Sequence, residues 1–398
     1  MPRAAAAAAA SAAAAIAEAR QLLARLEARR AELEAEVGRK QELVERLRAG
    51  TGRARFELET GNAGAGRARF EPGNAGDEDE DLADVPPAQR LVVPGDVLDL
   101  SDPDKTELEW CGTSGLKITL IAGLENLRKL ETLSLRSGFV RKPSGLAHLR
   151  GTLRVIELYE NRLRTLEGVQ EFKLEVLDVS YNRLGAMEAP YLAPLGPTLK
   201  RLYMAENRLS EMSADALRPL VNLEVLDLGG NSLREIRGLE TLAKLRELWL
   251  GKNKITKIQG LDGLRSLVRV SIQSNRVTKI ENLDALADTL EELYLSDQGI
   301  SVVENLGALR RLTTLDLTNN KLATTLGLPA LPDLTDLWMG ANGVASFEDV
   351  ARLAALFPRL DTLMLDRNPI ANDFQYRQRV KALVPSLTCI DSTPALAR

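Results

Sequence analysis

Histidine is almost missing from this chain, and cysteine and aromatic residues are scarce. Among 398 residues there is one histidine, His148, and there are two cysteines, Cys111 and Cys389. A single imidazole leaves Ser-His-Asp and Cys-His arrangements without a base and removes His-based metal sites. No P-loop, dinucleotide fingerprint or His-Glu-x-x-His pattern occurs. Carboxylates are abundant, but they recur singly at intervals along the chain and do not converge as a pair. The sequence therefore predicts no enzyme, no metal and no cofactor, and His148 reads as a surface residue. The cysteines sit far apart with no Cys-x-x-Cys pairing, which fits a reducing compartment.

Long apolar runs and a strong net charge are also lacking. The run Ala4 to Ala17 is mostly alanine, too short and too weakly hydrophobic to span a bilayer. As a secretory signal it lacks a leucine-rich core and a clear cleavage site. An acid-free alanine-rich start is compatible with an organelle transit peptide, but Glu18 and a long charged stretch follow at once, which favours a plain helical extension. A net charge of −4 is small for this length and gives no global signal for nucleic acid. Neither nucleic acid nor a membrane is expected as a partner.

Composition divides what is present into segments. Residues 1–49 hold strong helix formers, with Leu23, Leu26, Leu33, Val37, Val44 and Leu47 at three-four spacing, interrupted by Arg30 and Lys40. They predict an amphipathic helix or a weak coiled coil. Residues 50–87 read as a disordered linker that is Gly-rich and charged. It carries a duplicated unit, Arg53-Ala-Arg-Phe56 and Arg67-Ala-Arg-Phe70, then an acidic run from Asp77 to Asp81. Residues 88–370 form the repeat region, and residues 371–398 read as a helical cap and tail.

From Leu98 onward the chain repeats Leu-x-x-Leu-x-Leu-x-x-Asn. Copies run from Leu153 to Asn161, Leu174 to Asn182, Leu199 to Asn207 and Leu223 to Asn231. They continue to Asn253, Asn275, Gln298, Asn320, Asn342 and Asn368, and an early copy ends at Gly138. The period settles at 22 residues from Asn231 to Asn253 to Asn275, within the range of leucine-rich repeats. The fold expected is an α/β solenoid: a leucine-rich-repeat horseshoe of about eleven to twelve repeats.

The spacing explains itself. Two leucines separated by one residue point to the same side of a short strand and stack on those of neighbouring turns. The Asn, placed where the backbone leaves the strand, is expected to bond otherwise unpaired backbone groups of adjacent turns. Gln298 keeps a longer amide and Gly138 none, so those turns should be looser. The convex half, as in Ile255, Ile258, Leu261 and Leu264, recurs every third residue and suits a 3₁₀ turn better than an α-helix. Each turn touches only its neighbours, so the ends need caps. Arg90 to Leu100 is expected to start the stack. The segment Asp373 to Pro385 is expected to close it as a helix, with Tyr376, Val380 and Leu383 turned inward.

The residue between the paired leucines projects onto the concave face. In order this column reads Ser134, Glu157, Asp178, Tyr203, Asp227, Trp249, Ser271, Tyr294, Asp316, Trp338 and Met364. It holds four acids, four aromatics and no Lys or Arg. Aromatics flanked by carboxylates make a protein-binding surface suited to a partly basic partner.

The repeats resemble the leucine-rich repeats of the protein phosphatase 1 regulatory subunit 7 family. The resemblance rests on Leu250 to Ile258, Gln273 to Ile280, Glu291 to Ser296, Arg367-Asn-Pro369 and the cap from Gln375 to Val380, ending at Ile390-Asp391. It covers roughly residues 96 to 393. It implies a non-catalytic regulator whose concave face holds the catalytic subunit of type-1 protein phosphatase, with room for further phosphatase regulators, in nucleus and cytoplasm. It carries Asp178, Tyr203, Asp227, Trp249, Asp316, Asp336 and Trp338 over as contact residues, to which the column adds Glu157 and Tyr294. Tyr203 and Trp249 stand where that family has Phe, Asp227 and Asp336 where it has Glu, and Met364 replaces an aromatic. The linker pair Arg53-Ala-Arg-Phe56 and Arg67-Ala-Arg-Phe70 resembles a basic-Val-x-Phe docking peptide with Ala for Val. The competing reading is a structural repeat scaffold of cilia or cytoskeleton.

Overall fold

The computed structural model describes residue 94, residues 98–112 and residues 117–395. The expected helix at 1–49, the linker with its duplicated Arg-Ala-Arg-Phe, and most of the proposed starting segment lie outside the described residues.

Every copy of the repeat forms a strand of two to five residues, and among the described residues the strands stack in chain order into one open sheet of fourteen. The series runs β1 (Glu107–Cys111), β2 (Thr132–Arg136), β3 (Val155–Glu157), β4 (Val176–Asp178), β5 (Arg201–Tyr203), β6 (Val225–Asp227) and β7 (Glu247–Trp249). It continues with β8 (Arg269–Ser271), β9 (Glu292–Tyr294), β10 (Thr314–Asp316), β11 (Asp336–Trp338), β12 (Thr362–Met364), β13 (Cys389–Ile390) and β14 (Thr393–Pro394). All neighbours pair in parallel except β13 and β14. The leucine-rich-repeat solenoid expected from the spacing is the fold observed. β1 and β13 are degenerate copies beyond the eleven legible ones. In β1 only Leu108 keeps a leucine, and Trp110 takes the register of Leu135.

The register is uniform. The residue between the leucines always faces its counterpart, as Asp227 faces Trp249 and Trp249 faces Ser271. The leucines on either side, such as Leu248 and Leu250, are wholly buried, as are Ile255, Ile258, Leu261 and Leu264 of the convex half.

The asparagines form the ladder the spacing implied. Asn253 accepts from the Leu233 N–H at 3.0 Å through Oδ1 and donates to the carbonyls of Leu228 (3.0 Å) and Leu250 (3.1 Å). It thereby satisfies backbone groups of two turns that water cannot reach. Gln298 reproduces the link to the previous turn, accepting from Val277 N and donating to Ile272 O. Its extra methylene takes the place of slack, so the register holds there. At Gly138 the space is filled from the next turn: an added Cβ would lie 2.5 Å from Asn161 Oδ1.

The residue just before each ladder position has a left-handed backbone. Ser137, Glu160, Tyr181, Glu206, Lys252, Ser274, Asp297, Asn319, Ala341 and Arg367 have φ between 51° and 56°, and only Gly230 is a glycine. An L-residue there costs about 1 kcal/mol. The turn is held because it aims the Asn amide into the stack.

The convex connections follow repeat length. Between ladder positions 22 residues apart, as from Asn231 to Asn275, the connection is turns alone, and short 3₁₀ segments appear at Ala147–Leu149, Val169–Glu171 and Asp284–Leu286. Longer repeats put their extra residues into α-helix: α1 (Ala189–Leu192), α2 (Ala214–Leu217) and the ten-residue α3 (Phe347–Leu356). Ser346 caps α3 by accepting from Glu348 N at 3.0 Å. The 3₁₀ expectation therefore holds at those three segments, whereas the most regular repeats use turns alone and the longer ones form α1, α2 and α3. The closing helix is α4 (Tyr376–Leu383), with Tyr376 and Val380 buried and Leu383 packed on the core.

Candidate partner-binding face

Parallel strands about 4.8 Å apart turn each sequence column into a row across the concave face. Two columns share that face: the residue between the leucines and the residue two before it. The central row places large and small side chains alternately from β7 to β11: Trp249, Ser271, Tyr294, Asp316, Trp338. Two strand spacings are about 9.6 Å, yet the ring centroids of Trp249 and Tyr294 are 6.4 Å apart and nearly parallel, and those of Tyr294 and Trp338 are 6.0 Å apart. The rings lean toward each other over the smaller residues and form one band.

That lean decides what the band exposes. Ser271 is 1% exposed and Asp316 6%. Asp316 was expected among the contact residues of the concave face. Its Oδ1 instead accepts from the Thr318 N–H at 2.9 Å, beneath Tyr294 and Trp338. It shapes the face from below and offers no free carboxylate.

A basic residue also stands on this face, in the neighbouring column. Arg269 of β8 bridges two carboxylates, binding Glu292 through Nε and Nη2 at 2.5 Å each and Glu247 through Nη1 at 3.3 Å. Its guanidinium lies 5.7 Å from the Trp249 ring centroid. The same carboxylates hold the aromatics: Trp249 Nε1 donates to Glu247 at 3.2 Å and Tyr294 OH to Glu292 at 2.7 Å. The Arg269 contact keeps Glu292 below the usual carboxylate range. Burial, with Glu292 beside it, pushes the Tyr294 phenol up to about 12. At the far end Asp336 accepts from Thr335 Oγ1 at 2.7 Å. The Trp338 indole N–H is buried with no acceptor among the described residues.

The other half of the row, β3 to β6, carries Glu157, Asp178, Tyr203 and Asp227. Glu157 is tied up: Arg136 pairs with it and Ser134 Oγ donates to it at 2.9 Å. Asp178 and Asp227 lie either side of Tyr203, each accepting from a backbone N–H two residues on, Ser180 and Gly229, at 2.9 Å. Neither forms a salt bridge with a described residue. Burial raises both carboxyls, and the negative charge of Asp178 adds to the rise at Asp227. Burial likewise raises the Tyr203 phenol. Two partly buried acids without a salt-bridge partner among the described residues make this half a place for a cation from outside.

The nine expected contact residues thus share one face but not one role. Trp249, Tyr294 and Trp338 form the band, Asp178, Tyr203 and Asp227 form the open acidic patch, Glu157 and Asp316 are engaged internally, and Asp336 flanks the band. Glu247, Arg269 and Glu292 were missed, because they belong to a second column that the central one does not reveal. The signal available was their charge alternation, Glu-Arg-Glu, at repeat period. His148 is an exposed convex residue whose Nε2 is hydrogen-bonded to Leu124 O at 2.9 Å. Among the described residues no group of three or more His, Cys, Asp or Glu side chains is arranged to hold a metal ion, and no helix is long and apolar enough to cross a membrane.

Comparison with known proteins agrees with the fold and narrows the function only in part. Family models described as leucine-rich repeats match residues 172–233, 243–285 and 267–393. The chain is 34% identical over 145 residues to the protein phosphatase 1 regulatory inhibitor subunit PPP1R7 homolog of Arabidopsis thaliana, covering 35% of this chain and 42% of that protein. It is 34% identical over 108 residues to the 187-kDa microtubule-associated protein AIR9 of the same plant, covering 26% of this chain and 6% of that protein. The chain thus spans less than half the length of these relatives. Among solved structures it resembles the leucine-rich-repeat protein LIC12759 of Leptospira interrogans, with TM-score 0.53, 24% identity, and 68% and 76% of the two chains covered. It also resembles an internalin of Listeria monocytogenes, with TM-score 0.53, 20% identity, and 67% and 81% covered. At these identities the likeness shows the fold alone. The chain is a leucine-rich-repeat protein.

Proposed function

We propose that this leucine-rich-repeat protein is a non-catalytic regulatory subunit that binds the catalytic subunit of type-1 protein serine/threonine phosphatase on its concave face. The observation that carries this is the concave row itself, in which a continuous aromatic band adjoins two carboxylates that form no salt bridge with a described residue. Half-buried Trp and Tyr at a packed centre, with unneutralised charge beside them, are what a protein interface uses for affinity and for steering respectively. The partial match to the phosphatase regulatory subunit homolog supports the choice of partner. The reading carries with it a nuclear and cytoplasmic location, and room for further phosphatase regulators in the complex.

Pull-down of the full chain with the purified phosphatase catalytic subunit tests it. Retention is expected, and Trp249→Ala with Trp338→Ala should abolish it. Unchanged retention by that pair would remove the concave face from the interaction. Deleting residues 1–87 should leave binding intact, and its loss would move the contact to the segment holding Arg53-Ala-Arg-Phe56 and Arg67-Ala-Arg-Phe70. The second reading, a cytoskeletal or ciliary scaffold, is favoured by the partial match to a microtubule-associated protein. Co-sedimentation with microtubules, without phosphatase binding, would replace the first reading by the second.

A further inference from the structure

Several cations elsewhere on the solenoid are matched to carboxylates of the neighbouring turn. Lys200 pairs with Glu175 at 2.7 Å, Arg311 with Glu291 at 3.0 Å and Arg218 with Glu240 at 3.3 Å. The flank that follows the asparagine ladder breaks this pattern. There the chain places Arg208, Arg234, Lys254 with Lys257, and Arg276 with Lys279 on four consecutive turns. The first residue of each turn is held in register: the backbone N–H of Arg208, Lys254 and Arg276 donates to Leu184, Leu233 and Ile255 O of the turn before. Arg208, Lys254 and Arg276 therefore stand in one column, with Ser232 in that place on the second turn. Arg234, Lys257 and Lys279 lie two or three residues further along their own turns, with about 5 Å between turns. All but the half-buried Lys254 are exposed. Lys254 Nζ donates to Ser232 Oγ at 3.1 Å, and none of the six forms an ion pair with a described residue. Two acids are interleaved among them, Glu235 and Glu211, and Glu211 is paired with Arg237. The exposed residues between the paired cations of the last two turns are Thr256 and Thr278.

Such a column fits an extended acidic polypeptide. Single-stranded nucleic acid is disfavoured because no aromatic side chain is interleaved on which a base could stack. The chain itself contains the matching segment, Asp77-Glu78-Asp79-Glu80-Asp81, five consecutive carboxylates outside the described residues. From Asp81 to Leu98 is 17 residues, a reach of up to about 58 Å. From β1 to β8 the stack advances about 34 Å. The run can reach every cation named. A tether of this length holds its ends at an effective concentration on the order of millimolar. We propose that the basic flank is a docking surface for this chain's own acidic run, occupied in cis and independent of the concave face.

Zero-length carbodiimide cross-linking of the full chain, read by mass spectrometry, tests the pairing. Carboxylates of residues 77–81 should couple to Lys254, Lys257 and Lys279, several-fold more than to Lys129 or Lys381 off the flank. The excess should vanish at about 1 M salt, where screening falls to about 3 Å. Cross-links no more frequent on the flank than off it would overturn the proposal. Mixing ordinary and ¹⁵N-labelled chains separates the geometries: same-isotope links are expected, and predominantly mixed links would overturn docking in cis. A second arm neutralises the run, with Asp77→Asn, Glu78→Gln, Asp79→Asn, Glu80→Gln and Asp81→Asn. That variant should bind an added fluorescent Asp/Glu decapeptide at least tenfold more tightly than the unmodified chain, because the tethered competitor is gone. Equal affinity would overturn the proposal, as would tighter binding of a decathymidylate probe than of the peptide. Neither arm uses the phosphatase, so failure here leaves the concave-face reading untouched.

Discussion

The two halves of the concave row share one backbone and differ in how their charges are settled. From β7 to β11 every acid next to an aromatic has a partner. Arg269 is clamped by Glu247 and Glu292, which hold Trp249 and Tyr294 in turn. From β4 to β6, Asp178 and Asp227 accept from backbone N–H groups but form no salt bridge with a described residue, and burial raises both carboxyls. The first half is assembled before any partner arrives, with its rotamers fixed and its entropy cost already met in folding. The second keeps unneutralised charge that a basic partner would settle. One half is built to supply affinity, the other to supply attraction at a distance.

The largest effect that would break this contrast is in the band. Trp249→Ala with Trp338→Ala should weaken partner binding by at least about 100-fold, since each anchor is worth about 2 kcal/mol. Calorimetric titration measures it, and circular dichroism should show the repeat stack unchanged. A loss below tenfold would mean that the aromatics merely tile the sheet. Asp178→Asn with Asp227→Asn should cost less, about tenfold, and mostly in association rate. Stopped-flow association at increasing salt should show that difference shrinking.

The same acids have a pH signature. Their folded pKa values lie above the unfolded ones, so charging them costs stability above the folded value, and that cost is relieved as pH falls through it. The double Asn variant should therefore melt slightly higher than the unmodified chain at neutral pH, with the gap closing in acid. Partner binding should weaken over the same fall, because protonated acids attract no cation. A neutral-pH melting point below that of the unmodified chain would contradict the burial argument.

Arg269→Gln probes the settled half. Glu292 is held below its ordinary value, so its pairing stabilises the fold above that value and is lost as pH falls through the lowered one. The variant should lose about 1 kcal/mol at neutral pH, less toward acid, and Tyr294 should titrate nearer its ordinary value by ultraviolet absorbance. An unmoved phenol would separate the ring from the clamp. The smallest effect is expected at Gln298→Asn, within about 0.5 kcal/mol by chemical unfolding, because the longer amide already makes both links to the previous turn. A large change would show that ladder strain under β9 shapes the band.

Much of the fold was legible because a stack of identical turns writes its core at a fixed period. The leucines at every turn are buried as the spacing required, and Tyr376 and Val380 close the end. The edges were less legible: β1 retains one leucine, so its pairing with β2 lies in backbone register and leaves no motif. The α3 helix was hidden for a similar reason. The periodic pattern of the shorter repeats gave the rule, and four added residues between Asn342 and Asn368 changed it.

The face divides along the same line. By itself the sequence determined which residues share the concave row, because side-chain alternation and a constant register leave no freedom in that. It could not determine their partners. Arg269 joins Glu247 and Glu292 only because parallel turns bring residues more than twenty apart into contact. Asp316 sinks beneath Tyr294 and Trp338 only because rings two strands apart lean across the gap between them. Burial and pairing are properties of neighbours in space, and in a solenoid every such neighbour is a full turn away in the chain.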